Sequence, residues 1–167
     1  MTVTTIYYFD IETTGLNPYK DKILTIQLKK NNEFTMLKTW EEDEKHVLTG
    51  FFDLFRNVGK SSILGYNCLQ FDLSFIVSRM NKHGIMNAEK HAVLHNGNWL
   101  DLYQYLGGNY VSMDHWLQSC GIRRECQYKG RDVPTLYEKK MYKEIERHTK
   151  DDLVMCERLA EIVRTKR

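Results

Sequence analysis

The stretch from Thr4 to Glu12 limits the fold more than any other part of the chain. It is rich in β-branched and aromatic residues and reads as a strand. Ile6 and Tyr8 fall on one side, and Tyr7, Phe9 and Ile11 on the other. A strand that is apolar on both sides belongs in the middle of a sheet covered by helices on its two faces. This one ends on Asp10 and Glu12, which are two residues apart and therefore point the same way. Two carboxylates closing a buried run repel each other, and each unpaired buried charge costs several kcal/mol unless a cation sits between them. A divalent metal would resolve the conflict. The plainer alternative is that the strand has already surfaced at Asp10 and both groups are solvated.

The rest of the chain supplies the sheet and its cover. After the turn residues Gly15, Asn17 and Pro18, Lys22 to Lys30 is predicted to be a second strand. Asn31 and Asn32 make a tight connection, and Glu33 to Trp40 is a third strand, which gives an antiparallel meander. Val47, Phe51, Leu54, Phe55 and Val58 then follow helical spacing, closed by Gly59. Ser62 to Tyr66 is a short strand, and a second helical run passes through Phe75, Ile76 and Met80 to Gly84. The order strand, helix, strand, helix implies a parallel crossover, so the expected class is α/β with a mixed central sheet flanked by helices. Met113 to Cys120 is a short helix stopped by Gly121, and Thr135 to about Lys166 forms one or two terminal helices.

At 167 residues the chain fits one domain, taken as residues 1–167. Its 42% hydrophobic and 28% charged residues suit a globular protein, and no apolar run approaches a bilayer span. No basic, small-residue-terminated leader opens the chain, so a cytoplasmic protein without membrane association is expected. Cys68, Cys120, Cys126 and Cys156 lack paired CxxC spacing and read as free thiols. His91 and His95, four apart, raise a second metal hypothesis together with His83, but no further ligand follows at matching spacing. Charge is uneven: 11 basic residues face 13 acidic ones up to Cys120, and 13 face 9 thereafter. Arg123, Arg124, Lys129 and Arg131, with Tyr128 among them, form a basic loop suited to a nucleic-acid backbone, or simply a solvated one.

Two further carboxylates are candidates. Asp72 stands at the start of the second helical run, where an ordinary helix N-cap is the bland interpretation. Asp152 lies on the stripe Ile145, His148, Asp152, Met155, Cys156, Leu159 and Val163, the face of the last helix that must pack on the sheet. Its neighbour Asp151, about 100° around the helix, is predicted to face solvent.

Three segments carry a resemblance: YFDIETTGL at Tyr8 to Leu16, GYNCLQFD at Gly65 to Asp72, and HTKDDLVMCERL at His148 to Leu159. They resemble the three exonuclease motifs of the DEDD superfamily of 3′ to 5′ exonucleases, which have the ribonuclease H-like fold. NWLDLYQY from Asn98, SMDHWLQSCGI from Ser112 and the later Lys-Gly are similar to stand-alone relatives of family B polymerase proofreading domains.

The resemblance implies that Asp10, Glu12, Asp72 and Asp152 hold two divalent cations, magnesium or manganese, for phosphodiester hydrolysis. Asp10 would bridge them, Glu12 and Asp152 would complete one site, and Asp72 would act on the other largely through water. Thr13, Thr14, Gly15 and Leu16 would line the terminal nucleotide, with Leu16 as a wedge and amides near Thr14 meeting the 3′-hydroxyl, while Asn67 and Phe71 support the site. One position departs from the pattern. His148 stands four residues before Asp152, where one subclass has Tyr and the other places His five before. At i and i+4 the two share a face, so His148 is the candidate general base, with simple packing as its alternative.

The implied function is a metal-dependent 3′ to 5′ exonuclease acting on single-stranded DNA ends. An RNA-trimming exonuclease and a catalytically idle nucleic-acid-binding module are the alternatives. Replication or repair proteins are the partners such an enzyme would meet.

Overall fold

The computed structural model describes residues 5–58 and 61–165. Thr4, Gly59 and Lys166, which bound three of the predicted elements, lie outside the described residues. Five strands form one sheet: β1 (Ile6–Thr13), β2 (Ile23–Lys30), β3 (Glu33–Lys38), β4 (Ser62–Gly65) and β5 (Trp99–Asp101), in the order β3-β2-β1-β4-β5. The strand expected to be central is the middle one. It pairs antiparallel with β2 and parallel with β4, so the sheet is mixed as predicted.

Helices cover both faces. On one side α1 (Glu44–Asn57), the adjoining α2 (Ser74–Lys82) and α3 (Ala88–His95) bury Phe9, Ile11, Ile26 and Leu28 against Phe51, Phe55, Ile76 and Leu94. On the other side α7 (Tyr142–Thr165) packs Leu153, Met155 and Leu159 over Tyr8 and Leu64. It is joined there by α4 (Leu102–Tyr105), α5 (Met113–Ser119) and α6 (Val133–Glu138). The terminal helical stretch is thus two helices, broken at Lys140, whose φ of 56° is left-handed. Strand β5 and helix α3 were not foreseen. A three-residue strand is too short to show a period.

The second helical run also differs from its expected form. It opens with a π-helical turn, Cys68–Leu73, reached through Asn67 at φ 59°. Asp72 therefore lies inside the helical turn and is not its N-cap. Gly65 permits the approach, because a Cβ there would lie 2.6 Å from Cys68 Cβ and 2.9 Å from the Phe9 carbonyl. Among the described residues no helix is long and apolar enough to cross a membrane, and all four cysteines are free.

Candidate active site

Strand alternation places Asp10 and Glu12 under α7, at the end of β1 where a register shift between Glu12 and Thr13 bends the strand. The cross-strand neighbours of Asp10 and Glu12 are Gln27 and Thr25. Thr25 Oγ1 donates to Gln27 Oε1 (2.7 Å), and Gln27 Nε2 donates to Asp10 Oδ2 (2.7 Å). The π-helical turn brings Asp72 alongside, where its Oδ1 accepts from the Ile11 amide at 3.0 Å, between Asp10 and Glu12 in sequence. From α7, His148 Nε2 lies 3.2 Å from Glu12 Oε1 and 3.4 Å from Asp152 Oδ2. The four expected carboxylates and His148 are thus brought together.

Their electrostatics are unequal. Burial pushes the Asp10 carboxyl well above its usual range, and repulsion from Glu12, Asp72 and Asp152 adds to the effect. Burial does the same for Asp72, against the pull of the Ile11 amide. Glu12 and Asp152 are also raised by burial, but His148 draws both back. Burial alone would lower the His148 pKa, yet Glu12 and Asp152 hold it up at about 9, so its imidazole is a cation at neutral pH. Neither ring nitrogen of His148 makes an aligned hydrogen bond, and Asn67 Oδ1 is also buried without a partner.

Arg124 departs from its expected place in a solvated loop. Its guanidinium pairs with Asp114 and Asp152 and lies 3.0 Å from Asp151 Oδ2. Burial disfavours this charge, but Asp152 and Asp114 keep it protonated. Asp151, predicted to face solvent, is held by Arg124 and the Glu125 amide, its side chain only 8% exposed. A helical wheel cannot see that the segment after α5 packs over this side of α7. Lys129 Nζ lies 3.8 Å from Asp114, while Arg123 and Arg131 are exposed.

The segment after β1 is closed by internal bonds. Thr13 Oγ1 donates to the Gly15 carbonyl (2.6 Å), and Thr14 Oγ1 accepts from the Lys22 amide (3.0 Å). The Thr14 amide donates to the Lys22 carbonyl (2.9 Å), so of the amides expected near a 3′-hydroxyl this one is already taken. Asp21 approaches Gly15 closely, its Oδ2 2.5 Å from where a Cβ would lie, so a larger residue there would displace that carboxylate. Leu16 projects 82% exposed. Phe71 packs against Phe75, with ring centroids 5.6 Å apart. The histidine metal hypothesis fails in part: His83 Nε2 turns to Glu44, 2.8 Å away.

Sequence reasoning missed Gln27, Thr25 and Asp101. Asp101 accepts from the amides of Asn67 (2.8 Å), Leu69 (3.1 Å) and Tyr103 (3.0 Å), and so fixes the turn that delivers Asp72. Polar residues two apart in the otherwise apolar run of β2 were the available signal for Thr25 and Gln27. Their partner needed the register.

A divalent cation fits these residues. One ligand atom each of Glu12, His148 and Asp152 lies within 4.8 Å of the others. Asp152 already has Arg124 and Glu12 has His148, but among the described residues no cation pairs with Asp10 or Asp72. The uncompensated negative charge is therefore at Asp10 and Asp72, and oxygen donors suit a hard cation.

A family model described as RNase_H superfamily matches residues 7–164. The uncharacterized protein MJ0365 of Methanocaldococcus jannaschii is 33% identical over 125 residues, which is 75% of this chain and 66% of that one. DNA polymerase 2 of Aeropyrum pernix is 29% identical over 82 residues, 46% of this chain and 10% of the polymerase. Among solved structures, the family B DNA polymerase of Pyrobaculum calidifontis superposes with a TM-score of 0.79 at 18% identity, over 96% of this chain and 24% of that one. E. coli exonuclease I in complex with a dT13 oligonucleotide gives 0.61 at 14% identity, over 98% and 41%. The chain thus spans only part of each relative, and at these identities the two structures speak for the fold alone.

Proposed function

The chain belongs to the RNase H superfamily, and on that footing we propose that it is a metal-dependent 3′ to 5′ exonuclease acting on single-stranded DNA. The observation that carries this reading is the convergence of Asp10, Glu12, Asp72 and Asp152, with Asp10 and Asp72 left without a counter-charge. A substrate phosphate would only add to that negative charge, so the site needs cations before it can accept one. In this reading Asp10 and Asp72, with Glu12 and Asp152, hold two magnesium or manganese ions, which supply a nucleophilic hydroxide and stabilise charge on the scissile phosphate.

The chain's own residues do the rest. Gln27 and the Ile11 amide fix the orientation of Asp10 and Asp72. His148, buried beside Glu12 and Asp152, is the general base, and it must first lose the proton that those carboxylates stabilise. Arg124 steadies Asp152 from the opposite side. The exposed Leu16 is the wedge against the terminal base. The sequence similarity to DNA polymerase 2 of Aeropyrum pernix favours DNA over RNA as the strand.

Digestion of matched 5′-labelled and 3′-labelled DNA and RNA strands, with magnesium or with EDTA, tests the proposal. A metal-dependent ladder shortening from the 3′ end of DNA is expected. Internal cuts, 5′ to 3′ polarity or metal-independent cleavage would refute it, and faster loss of the RNA would replace DNA by RNA as the substrate.

A further inference from the structure

The three most exposed large apolar side chains among the described residues are Tyr110 (99%), Leu16 (82%) and Tyr19 (78%). Leu16 and Tyr19 lie on the segment that follows Asp10 and Glu12. Tyr110 lies in the loop between α4 and α5. Its φ of 56° is left-handed, an outlier for a bulky side chain. Strain of this kind persists only where surrounding structure imposes it, and it points toward function.

The surrounding structure is two tyrosines. Tyr103 Oη donates to the Gly108 carbonyl (2.7 Å) and accepts from the Tyr110 amide (3.1 Å). Tyr66 Oη donates to the Val111 carbonyl (2.5 Å), and the two rings meet edge to face, 5.7 Å between centroids. Two partly buried phenols therefore hold a third fully in water. The loop is also tied through its chain neighbours to the elements that build the acidic centre. Tyr66 directly follows Gly65, which packs on the Phe9 carbonyl, and precedes the turn that carries Asp72. On its other side Ser112 caps α5, whose Asp114 grips the Arg124 that holds Asp152.

We propose that Tyr110 is a stacking platform for an unpaired base of the bound single strand, upstream of the terminal nucleotide. The proposal rests on the exonuclease reading for its nucleic-acid partner. Every base offers a flat π-face, so such stacking tolerates any sequence, and it gains from a ring presented without rearrangement. An exposed ring that binds nothing has no reason to be held in a strained backbone by two hydrogen-bonded buttresses.

The test is equilibrium binding by the full chain, with calcium replacing magnesium, of oligonucleotides carrying 2-aminopurine at successive positions from the 3′ end. Wild type should quench the fluorophore at one internal position. Tyr110→Ala should weaken binding on the order of 10-fold and abolish that quench, and Tyr110→Trp should restore both. Tyr110→Gly should bind as poorly as the Ala variant yet melt no lower than wild type, because glycine takes this φ freely. Ala and Gly variants that bind and quench as wild type does would overturn the platform while leaving the exonuclease reading intact. A wild-type chain that binds no single strand would overturn that reading itself.

Discussion

Two buried acidic centres in this molecule make opposite use of the same chemistry. At the N-terminus of α1, Glu44 accepts from the Ile23 amide (2.8 Å), from Arg79 Nε (2.8 Å) and from Arg79 Nη2 (2.5 Å), and His83 lies at 2.8 Å. Burial pushes the Glu44 carboxyl up, but Arg79 and His83 outweigh it and its pKa falls below the ordinary value. Across the sheet, Asp10 and Asp72 are driven the other way: Asp10 has the Gln27 amide donor and Asp72 only backbone amides, and among the described residues neither is paired with a cation. The Glu44 centre is complete and joins β2, α1 and α2. The Asp10 centre lacks such a counter-charge, and on the proposed function that difference separates a structural from a catalytic cluster.

The sharpest way to break the comparison is to truncate one acid from each centre. Asp10→Ala should lower turnover by several orders of magnitude, since it removes a carboxylate that on the proposed function would hold the ions. Glu44→Ala leaves Arg79 buried without its anion and should cost about 3–5 kcal/mol of stability, while the folded fraction cleaves normally. Turnover per folded molecule and denaturant unfolding read the two. An Asp10→Ala variant keeping more than about a tenth of wild-type activity would remove the catalytic side of the contrast.

His148 gives the next effect. His148→Ala should lower the rate on the order of 10² to 10⁴, and the rise of activity toward alkaline pH expected of wild type should vanish with it. His148→Tyr should recover part of the rate from the same helical face. Identical pH profiles in wild type and His148→Ala would show that the imidazole only packs.

The smallest effect separates inward from outward cations. Neutralising Arg123, Lys129 and Arg131 should flatten the salt dependence of single-strand binding by about 0.7 in log-log slope for each phosphate that is no longer neutralised. Arg124 is excluded because it belongs to the acidic centre. An unchanged slope would leave the segment as a solvated surface.

Much of this was legible in the chain because period-2 and period-3.6 patterns report local burial directly. They placed Asp10 and Glu12 on one face of a central strand and put His148 and Asp152 on the packed face of the last helix. What local pattern does not carry is register and overlay. Gln27 meets Asp10 only through the β1–β2 pairing. Asp72 is aimed by a π-helical turn that Asp101 holds from thirty-odd positions away. Arg124 read as part of a basic loop because a charge count records cations and not their partners, and Asp151 read as solvent-facing because a helical wheel does not see the segment that packs over that side of α7.

The most direct test of the central claim is the melting temperature at about pH 8, in EDTA and in saturating manganese, for wild type and Asp10→Asn. Asp10 and Asp72 have raised pKa values when folded, so their stabilising share is present in acid and lost as pH climbs through those values. His148 has the same sign, its contribution fading from the unfolded value of roughly 6.5 toward about 9. Metal-free wild type should therefore melt lower at pH 8 than at about pH 6, and manganese should raise it by mass action. Asp10→Asn should melt higher than wild type in EDTA and gain less from manganese. A wild-type melting temperature indifferent to manganese, or an Asp10→Asn variant that melts lower without it, would contradict the account.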